Sequence, residues 1–295
     1  MTETKSKLKA KQPALTKPGK TKGVIFGASG VGKTWFTLSF PAPYYFDTEG
    51  GADLKHYQER LAKAGGVYLG PDDGTLDFDF LIQQIQALAT EKHTYRTLII
   101  DSITKIYQTA IAVEQERLGE KDAFGASKKP AVQAMRRLVN WIMKLDMNVW
   151  FVAHETAEWG VNGKGTREEI GKMPDVWDKL LYELDLGLWA KKVGDGRVAY
   201  VKKSRLVGFP DGDCFALEYV DFAERYGKDF IEGDTTSIVL ATAAQVGEIQ
   251  RLLQVVKVSD AEIEKLMTKA NAESFYEFTT EQADQTITWL KKKLA

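Results

Sequence analysis

Short apolar runs and helical stretches alternate along the first half of the chain. Four runs rich in β-branched and aromatic residues are predicted to be strands buried on both faces: 24–26, 44–46, 97–100 and 149–153. Four further stretches repeat apolar residues at helical spacing: 53–64, 78–90, 107–118 and 131–146. Strands that alternate with helices predict an α/β fold with a central, mostly parallel sheet.

The pattern changes in the second half of the chain. Two strands around Gly194-Asp195-Gly196 predict a β-hairpin over 186–201, and further short strands are expected over 206–223. From residue 242 onward, apolar residues at helical spacing predict three short helices, and the second opens with Ser259 and Glu262 as a capping box.

The first 22 residues differ in composition from the rest of the chain. They carry seven lysines against one acid, Glu3, so they are expected to form a flexible basic arm rather than part of a core. The arm is either a solubilising tail or a phosphate-binding segment. The predicted organisation is this arm (1–22), an α/β core (23–225), a linker (226–241) and a three-helix C-terminal module (242–295).

Composition narrows the class of protein but not its partners. The chain is 44% hydrophobic and 27% charged, as in ordinary globular proteins, and its single cysteine, Cys214, excludes an internal disulfide framework. A run of about 18 apolar residues is absent and the first residues lack an apolar core, so neither a membrane span nor a signal peptide is predicted, and a cytoplasmic location is expected. The net charge of −1 leaves nucleic-acid binding open.

A glycine-rich pattern follows the first predicted strand and precedes a predicted helix. It reads Gly27-Ala28-Ser29-Gly30-Val31-Gly32-Lys33-Thr34, which is the phosphate-binding pattern G-x-x-x-x-G-K-[ST] in its required context. The backbone N–H groups of this loop are expected to surround phosphate oxygens. Lys33 is expected to reach the β- and γ-phosphates and Thr34 to offer its hydroxyl to Mg²⁺. The pattern therefore predicts ATP or GTP as ligand.

Carboxylates end two further predicted strands. Asp47 and Glu49 follow the strand at 44–46, and Asp101 and Ser102 follow the strand at 97–100. Because strand ends line the ligand crevice of open α/β sheets, Asp101 is expected in the Mg²⁺ shell. Glu49 is expected to orient and deprotonate the attacking water. The alternative is that one of the two carboxylates, Asp47 or Glu49, merely caps a helix or turn.

Two long polar stretches and one histidine remain open to alternatives. Residues 119–130 and 156–173 are expected to be loops, and loops of that length are usually functional or disordered. His154 ends the strand at 149–153 and is either a sensor of the γ-phosphate or an ordinary strand-end histidine.

The order of these motifs resembles the RecA core over about residues 20–225. YYFDTEGGADL is similar to the family strand that carries its catalytic glutamate, which maps to Glu49, and LIIDS matches its second nucleotide motif. VQAMRRL resembles the helix after the first DNA-binding loop, and VWFVAHE resembles the next strand. At the end of that strand the family usually has Gln or Asn, where this chain has His154.

The resemblance implies single-stranded DNA as a partner and a homo-oligomer, either a ring or a filament. It places residues 119–130 and 156–173 at the positions of the family's two DNA-binding loops. Trp159 would stack on a base. Four cations would neutralise phosphates: Lys128, Lys129, Lys164 and Arg167. The alternative is that both loops are simply solvated. In VAYVKKSR the resemblance makes Lys202, Lys203 and Arg205 candidates for reaching the ATP of a neighbouring subunit.

Within that family, the compact core and helical tail are similar to phage-encoded RecA-like proteins grouped with single-strand annealing proteins. This resemblance implies an ATP-dependent recombination protein that anneals or exchanges strands in the cytoplasm of a bacterial host. A single-stranded-DNA-binding protein or another recombination factor is expected as a further partner, and no membrane is expected. Two other classes remain: a P-loop small-molecule kinase and a nucleotide-switched scaffold that does not hydrolyse its ligand.

Overall fold

The computed structural model of the protein describes most of the chain: residues 19–119, 125–161, 163 and 165–294. Residues 1–18 of the predicted arm, the middle of the first predicted loop (120–124) and Lys164 lie outside the described residues. Within the described ranges, none of the helices has the length and apolar character that crossing a membrane requires.

The described ranges contain ten strands and eleven α-helices. The strands are β1 (Lys22–Phe26), β2 (Pro43–Asp47), β3 (Val67–Leu69), β4 (Thr97–Asp101), β5 (Asn148–Ala153), β6 (Glu155–Val161), β7 (Arg167–Pro174), β8 (Leu186–Val193), β9 (Gly196–Ser204) and β10 (Cys214–Ala216). The helices are α1 (Lys33–Thr37), α2 (Lys55–Lys63), α3 (Phe78–Thr90), α4 (Ile103–Leu118), α5 (Lys128–Lys144), α6 (Leu180–Glu183), α7 (Tyr219–Tyr226), α8 (Lys228–Glu232), α9 (Ala243–Val255), α10 (Asp260–Ala270) and α11 (Thr280–Leu294).

Eight strands form one sheet in the order β10-β9-β8-β1-β5-β4-β2-β3. The six strands from β8 to β3 are parallel, while β9 and β10 are antiparallel additions at one edge. The predicted α/β fold with a mostly parallel sheet is therefore confirmed. The carboxyl ends of β1, β2, β4 and β5 meet at one edge of the sheet, where a ligand crevice is expected.

Two apolar clusters, one on each face of the sheet, hold the layers together. Val24 and Phe26 of β1 belong to the cluster that includes α3 and α5, whereas Ile25 belongs to the cluster that includes α1, α2 and α7. This division follows from the alternation of side chains along a strand. Because both faces are covered, the middle of each central strand is an uninterrupted run of apolar residues, as the sequence predicted, and polar residues stand only at the strand ends.

The stretch predicted as a loop over 156–173 is instead an antiparallel hairpin of β6 and β7. Its register runs from Glu155 opposite Pro174 to Val161 opposite Arg167, with an irregularity between Glu158 and Trp159. The prediction was wrong because polar residues and glycines mask a period of two in β6, where Ala157, Trp159 and Val161 alternate with polar or small residues.

Two further predictions were wrong. Helix α5 begins at Lys128, so Lys128 and Lys129 lie in its first turn rather than in a loop. Between 206 and 223 the chain forms one strand, β10, and then enters helix α7, while helix α8 lies within the predicted linker. The helical spacing of the apolar residues Tyr219, Phe222, Ala223 and Tyr226 explains α7.

The α/β core begins before residue 23. The Lys20 ammonium donates hydrogen bonds to the carbonyl oxygens of Phe230 (3.0 Å) and Gly233 (2.5 Å). Lys22 is buried at the start of β1, and its ammonium donates to the carbonyl oxygens of Leu145 (2.8 Å) and Met147 (2.5 Å). Burial lowers the Lys22 pKa to about 7. These lysines therefore bind carbonyl groups of the core instead of remaining solvated.

Helices α9, α10 and α11 lie where three helices were predicted, and they have an apolar cluster of their own, which includes Leu252, Phe278 and Leu290. We call these helices with the segments that connect them, residues 242–294, the C-terminal module. Polar contacts join it to α5. Arg137 forms ion pairs with Glu273 (3.2 Å) and Glu277 (3.7 Å), and the Lys144 ammonium donates to the Glu277 carbonyl oxygen (3.0 Å).

Candidate functional site

The glycine-rich loop connects β1 to α1 at the carboxyl edge of the sheet. Two of its glycines are required by close contacts and a left-handed backbone. A Cβ atom on Gly27 (φ +152°) would lie 2.5 Å from the Ala190 carbonyl oxygen, and one on Gly32 (φ +100°) would lie 2.9 Å from Cδ of Arg197. Strands β8 and β9 therefore lie in direct contact with this loop, and a side chain at Gly27 or Gly32 would clash with them.

Lys33 fills the interior of the loop. Its ammonium donates hydrogen bonds to the carbonyl oxygens of Gly27 (2.7 Å) and Ala28 (2.8 Å). Burial lowers the Lys33 pKa, although the nearby carboxylates of Asp101 and Glu49 oppose that shift. The cation is thus held at the position from which a lysine of this pattern reaches phosphate oxygens.

Thr34 and Asp101 bring two oxygen groups together beside the loop. The Thr34 hydroxyl donates a 2.5 Å hydrogen bond to Oδ2 of Asp101, and the Tyr45 hydroxyl lies 3.4 Å from the same oxygen. Mg²⁺ prefers oxygen ligands and commonly takes only one or two from protein, with substrate phosphates and water completing the shell. Hydroxyl and carboxylate oxygens at this spacing fit that donor set. Among the described residues, no cluster of three or more His, Cys, Asp or Glu side chains offers a different metal site.

Asp101 is buried, and this burial raises its pKa to about 6 from an ordinary value of 3.8. Between these two values the folded protein binds more protons than the unfolded chain. Folding stability therefore falls as pH rises through this window, and the ionised carboxylate reduces stability above it by up to about 3 kcal/mol.

We expect Asp101→Asn to stabilise the ligand-free protein near neutral pH, by about 1–3 kcal/mol, because the variant has no charge to bury. The gain should disappear when the pH is lowered below about 4, where Asp101 is protonated in both states. Urea denaturation without nucleotide or Mg²⁺, at several pH values, measures this difference.

Asp47→Asn is the matched control for that experiment. The Asp47 carboxylate accepts hydrogen bonds from the backbone N–H groups of Glu49 (2.9 Å), Gly50 (3.0 Å) and Ala52 (2.6 Å). An amide NH₂ group in place of one of these oxygens would face an N–H donor, so this variant should lose stability at the same pH. An Asp101→Asn protein that is less stable than wild type at every pH would contradict the expectation for Asp101.

The same contacts separate the roles of the two carboxylates that follow β2. Asp47 is buried and engaged by backbone N–H groups, so it shapes the turn. Glu49 instead directs its carboxylate into the cleft: Oε1 accepts a hydrogen bond from the Ser102 hydroxyl (2.6 Å) and lies 2.8 Å from Nε2 of His154. Burial alone would raise the Glu49 pKa, but the hydrogen bonds from Ser102 and His154 lower it below its ordinary value. Glu49 is therefore held as a carboxylate.

A cleft of about 560 Å³ joins these groups into one site. It is lined by Gly27, Ala28, Ser29, Gly30, Lys33, Thr34, Tyr45, Asp47, Glu49, Gly51, Tyr57, Asp101, His154 and Glu155. Three of these lining residues, Tyr45, Tyr57 and Glu155, are not among the site residues that the sequence predicts. Tyr45 lies inside an apolar run and Tyr57 in a helix, where aromatic residues normally indicate packing.

The basic residues predicted on β9 lie away from this cleft. Because β9 is antiparallel to β8, the end of β9 that carries Lys202 and Lys203 lies at the opposite edge of the sheet from the glycine-rich loop. Lys202 forms an ion pair with Glu158 (2.5 Å), and the ammonium of Lys203 donates to the Leu184 carbonyl oxygen. The Arg205 guanidinium donates to the Tyr182 carbonyl oxygen. Within one subunit none of the three reaches the cleft.

The described residues predicted to bind DNA also lie outside the cleft. Lys128 and Lys129 are exposed in the first turn of α5. Trp159 is 53% exposed on β6, with the Arg167 guanidinium 5.1 Å from the centre of its ring. Trp159 is nevertheless close to the site along the chain, since β6 begins at Glu155, next to His154.

Comparison with known proteins assigns the family. A family model described as an AAA domain matches residues 19–207, from the start of β1 to the end of β9 and just beyond. No curated protein matches the chain. Proteins with a P-loop nucleoside triphosphatase domain usually bind a nucleotide together with Mg²⁺, and the matched segment contains the loop, Glu49, Asp101 and His154. The match covers more than half of the chain, which therefore belongs to the AAA-domain family of P-loop nucleoside triphosphatases.

Proposed function

We propose that the protein is a Mg²⁺-dependent ATPase in which Glu49 is the general base. The observation that carries this proposal is the position of the Glu49 carboxylate, held by Ser102 and His154 in the same cleft as Lys33. A carboxylate placed there can orient a water molecule and accept its proton, which is a role found in phosphoryl transfer.

The other residues of the cleft have distinct roles in this proposal. The backbone N–H groups of residues 27–34 surround the phosphates, and Lys33 neutralises charge on them. Thr34 and Asp101 would hold Mg²⁺, which when bound supplies Lewis-acid stabilisation of charge on the phosphate oxygens. His154 holds Glu49 through Nε2 and leaves it when the water is to be activated.

We further propose that single-stranded DNA is the partner that controls this step, as in a RecA-like recombination protein. Hairpin β6–β7 continues directly from His154, and it exposes Trp159 with Arg167 beside it. A base would stack on Trp159, with phosphates near Arg167. This binding would shift β6 and with it His154, so that the contact between His154 Nε2 and the Glu49 carboxylate breaks. The proposed assembly is a ring or filament of identical subunits, in which Lys202, Lys203 and Arg205 act on the ATP of the adjacent subunit. The proposed activity is annealing or strand exchange.

We expect ATP hydrolysis to rise with single-stranded DNA, not with duplex DNA, and the stimulation to weaken as salt is increased. Trp159→Ala should lower the affinity for single strands about tenfold, because stacking contributes about 1–3 kcal/mol per base. ATPase rates and binding of a labelled oligonucleotide, each at two salt concentrations, test both statements.

Tyr276→Ala is the control, because Tyr276 is an exposed aromatic residue of the C-terminal module, away from the hairpin. An ATPase rate that is indifferent to DNA, together with unchanged oligonucleotide binding by Trp159→Ala, would refute the DNA-binding role and leave the ATPase intact.

A second candidate function is a nucleotide-dependent contact with another protein. In the described strands of the hairpin, four glutamates outnumber two cations. The glutamates are Glu155, Glu158, Glu168 and Glu169, and the cations are Arg167 and Lys172. The hairpin also exposes Val161 and Ile170, which are 72% and 59% accessible. An apolar surface with acidic flanks suits a protein better than a phosphate backbone. Nucleotide binding without any effect of DNA would favour this second function.

A further inference from the structure

We propose that Arg197 binds the α- and β-phosphates of the nucleotide in its own subunit, with Lys192 as a second cation. The proposal rests on the proposed function to the extent that the cleft must bind a nucleotide. It assigns a phosphate-binding side chain outside the glycine-rich motif, at the start of β9. The basic residues that the sequence predicts to act, Lys202, Lys203 and Arg205, lie at or just beyond the other end of that strand.

The course of β9 brings Arg197 to the phosphate loop. Strand β8 is parallel to β1, with Trp189 beside Phe26, so β8 runs toward the edge at which the loop begins. The chain then turns, and β9 starts at that same edge with Gly196 and Arg197. The two ends of β9 therefore have different surroundings: Arg197 lies at the loop, and Lys202 lies toward the opposite edge.

The side chain of Arg197 lies directly against the loop. Its Cδ and Nε atoms are 2.9 Å and 3.3 Å from the position that a Cβ atom on Gly32 would occupy. Strand alternation places Arg197 on the same face as Ala199 and Val201, which pack in the apolar cluster that contains Phe36 of α1. The guanidinium therefore emerges on the α1 side of the sheet, beside Gly32.

The charges at this end of the hairpin favour an anionic ligand. Arg197 and Lys192 are direct cross-strand partners, and both are exposed. Like charges in this arrangement destabilise a strand pair. In the described part of the chain, neither cation has a carboxylate within ion-pair distance, so their repulsion is not offset by a neighbouring acid. A polyphosphate bound in the adjacent loop would neutralise both cations.

The contact with Gly32 indicates which phosphates Arg197 would reach. Backbone groups of this loop surround the α- and β-phosphates, whereas the motif lysine, Lys33, extends to the β- and γ-phosphates. An arginine at Gly32 would therefore bind ADP and ATP equally well. Planar guanidinium groups also bind phosphate through two parallel hydrogen bonds, which a lysine cannot do.

Equilibrium binding of a fluorescent ADP and of a non-hydrolysable ATP analogue, both with Mg²⁺, tests the proposal on the full chain. Arg197→Ala should weaken the binding of both nucleotides by about tenfold, equivalent to about 1.4 kcal/mol. Arg197→Lys should lose about threefold, and Lys192→Ala about twofold. High salt should reduce these differences. Lys257→Ala, which removes an exposed cation of the C-terminal module, should bind as wild type does.

Three results would overturn the proposal while wild-type nucleotide binding stands. The first is unchanged affinity of Arg197→Ala for both nucleotides. The second is a loss confined to the ATP analogue, which would place the guanidinium at the γ-phosphate. The third is weakened binding of an oligonucleotide with unchanged binding of ADP, which would make the hairpin end a nucleic-acid contact. Failure of the wild-type chain to bind either nucleotide would instead overturn the proposed function, and this inference with it.

Discussion

Glu49→Gln should leave nucleotide binding intact and lower ATP hydrolysis by about 10²- to 10⁴-fold, the range for loss of a general base. Glutamine has the shape of glutamate, and its carbonyl oxygen can still accept the hydrogen bond from Ser102, so the cleft keeps its form. The amide cannot accept a proton from water at neutral pH. Steady-state hydrolysis and equilibrium binding of an ATP analogue together separate these two effects.

Glu155→Gln is the matched control, because it removes a second carboxylate from the same cleft. Oε2 of Glu155 accepts a hydrogen bond from the Trp189 indole (2.9 Å), which engages it away from a water-activating role. We expect a change of at most a few-fold for this variant. Equal hydrolysis rates for Glu49→Gln and wild type would exclude Glu49 as the base.

Lys33→Ala should reduce nucleotide affinity by about a hundredfold or more. Hydrogen bonds to charged groups contribute about 1.5–3 kcal/mol each, and the lysine of this motif makes several with phosphate oxygens. The loss should be larger for ATP than for ADP, because Lys33 is expected to contact the γ-phosphate. Titration calorimetry with both nucleotides in the presence of Mg²⁺ gives the two affinities.

The variant also leaves the carbonyl oxygens of Gly27 and Ala28 without their donor, so its thermal unfolding must be compared with that of wild type. Lys63→Ala, at an exposed position of α2, controls for the change in net charge. Wild-type affinity in a folded Lys33→Ala protein would show that nucleotide does not bind in this loop.

The parts of the site that lie on contiguous motifs were predictable from the sequence. The phosphate loop is a strand, a turn and a helix in one short segment, so local chemistry determines it. Asp101 ends an apolar run, and strands buried on both faces leave few other places for a carboxylate than the strand end. The sequence favours Glu49 over Asp47 as the base, and the three backbone donors around Asp47 identify Asp47 as the residue that shapes the turn.

The remaining parts depend on tertiary arrangement. Lys202, Lys203 and Arg205 form a conspicuous basic cluster after a hairpin that the sequence predicts. The sequence does not show that β8 pairs parallel with β1, and this pairing is what places the basic end of β9 away from the cleft. Arg197 occupies an ordinary strand position in the sequence. Only its contact with Gly32 in the folded protein indicates a role in phosphate binding. Hairpin β6–β7 is stabilised by pairing between its own strands, so its polar residues resemble a loop in the sequence.

The polar contacts between α5 and the C-terminal module have a consequence for how the two parts are held together. The apolar cluster of the module is separate from the two clusters of the sheet, and Arg137 and Lys144 join it to the core through Glu273 and Glu277. The family match, moreover, ends at residue 207, before the module begins. The module therefore buries its apolar side chains without help from the sheet, and the sheet that carries the phosphate loop does not depend on the module for its own core.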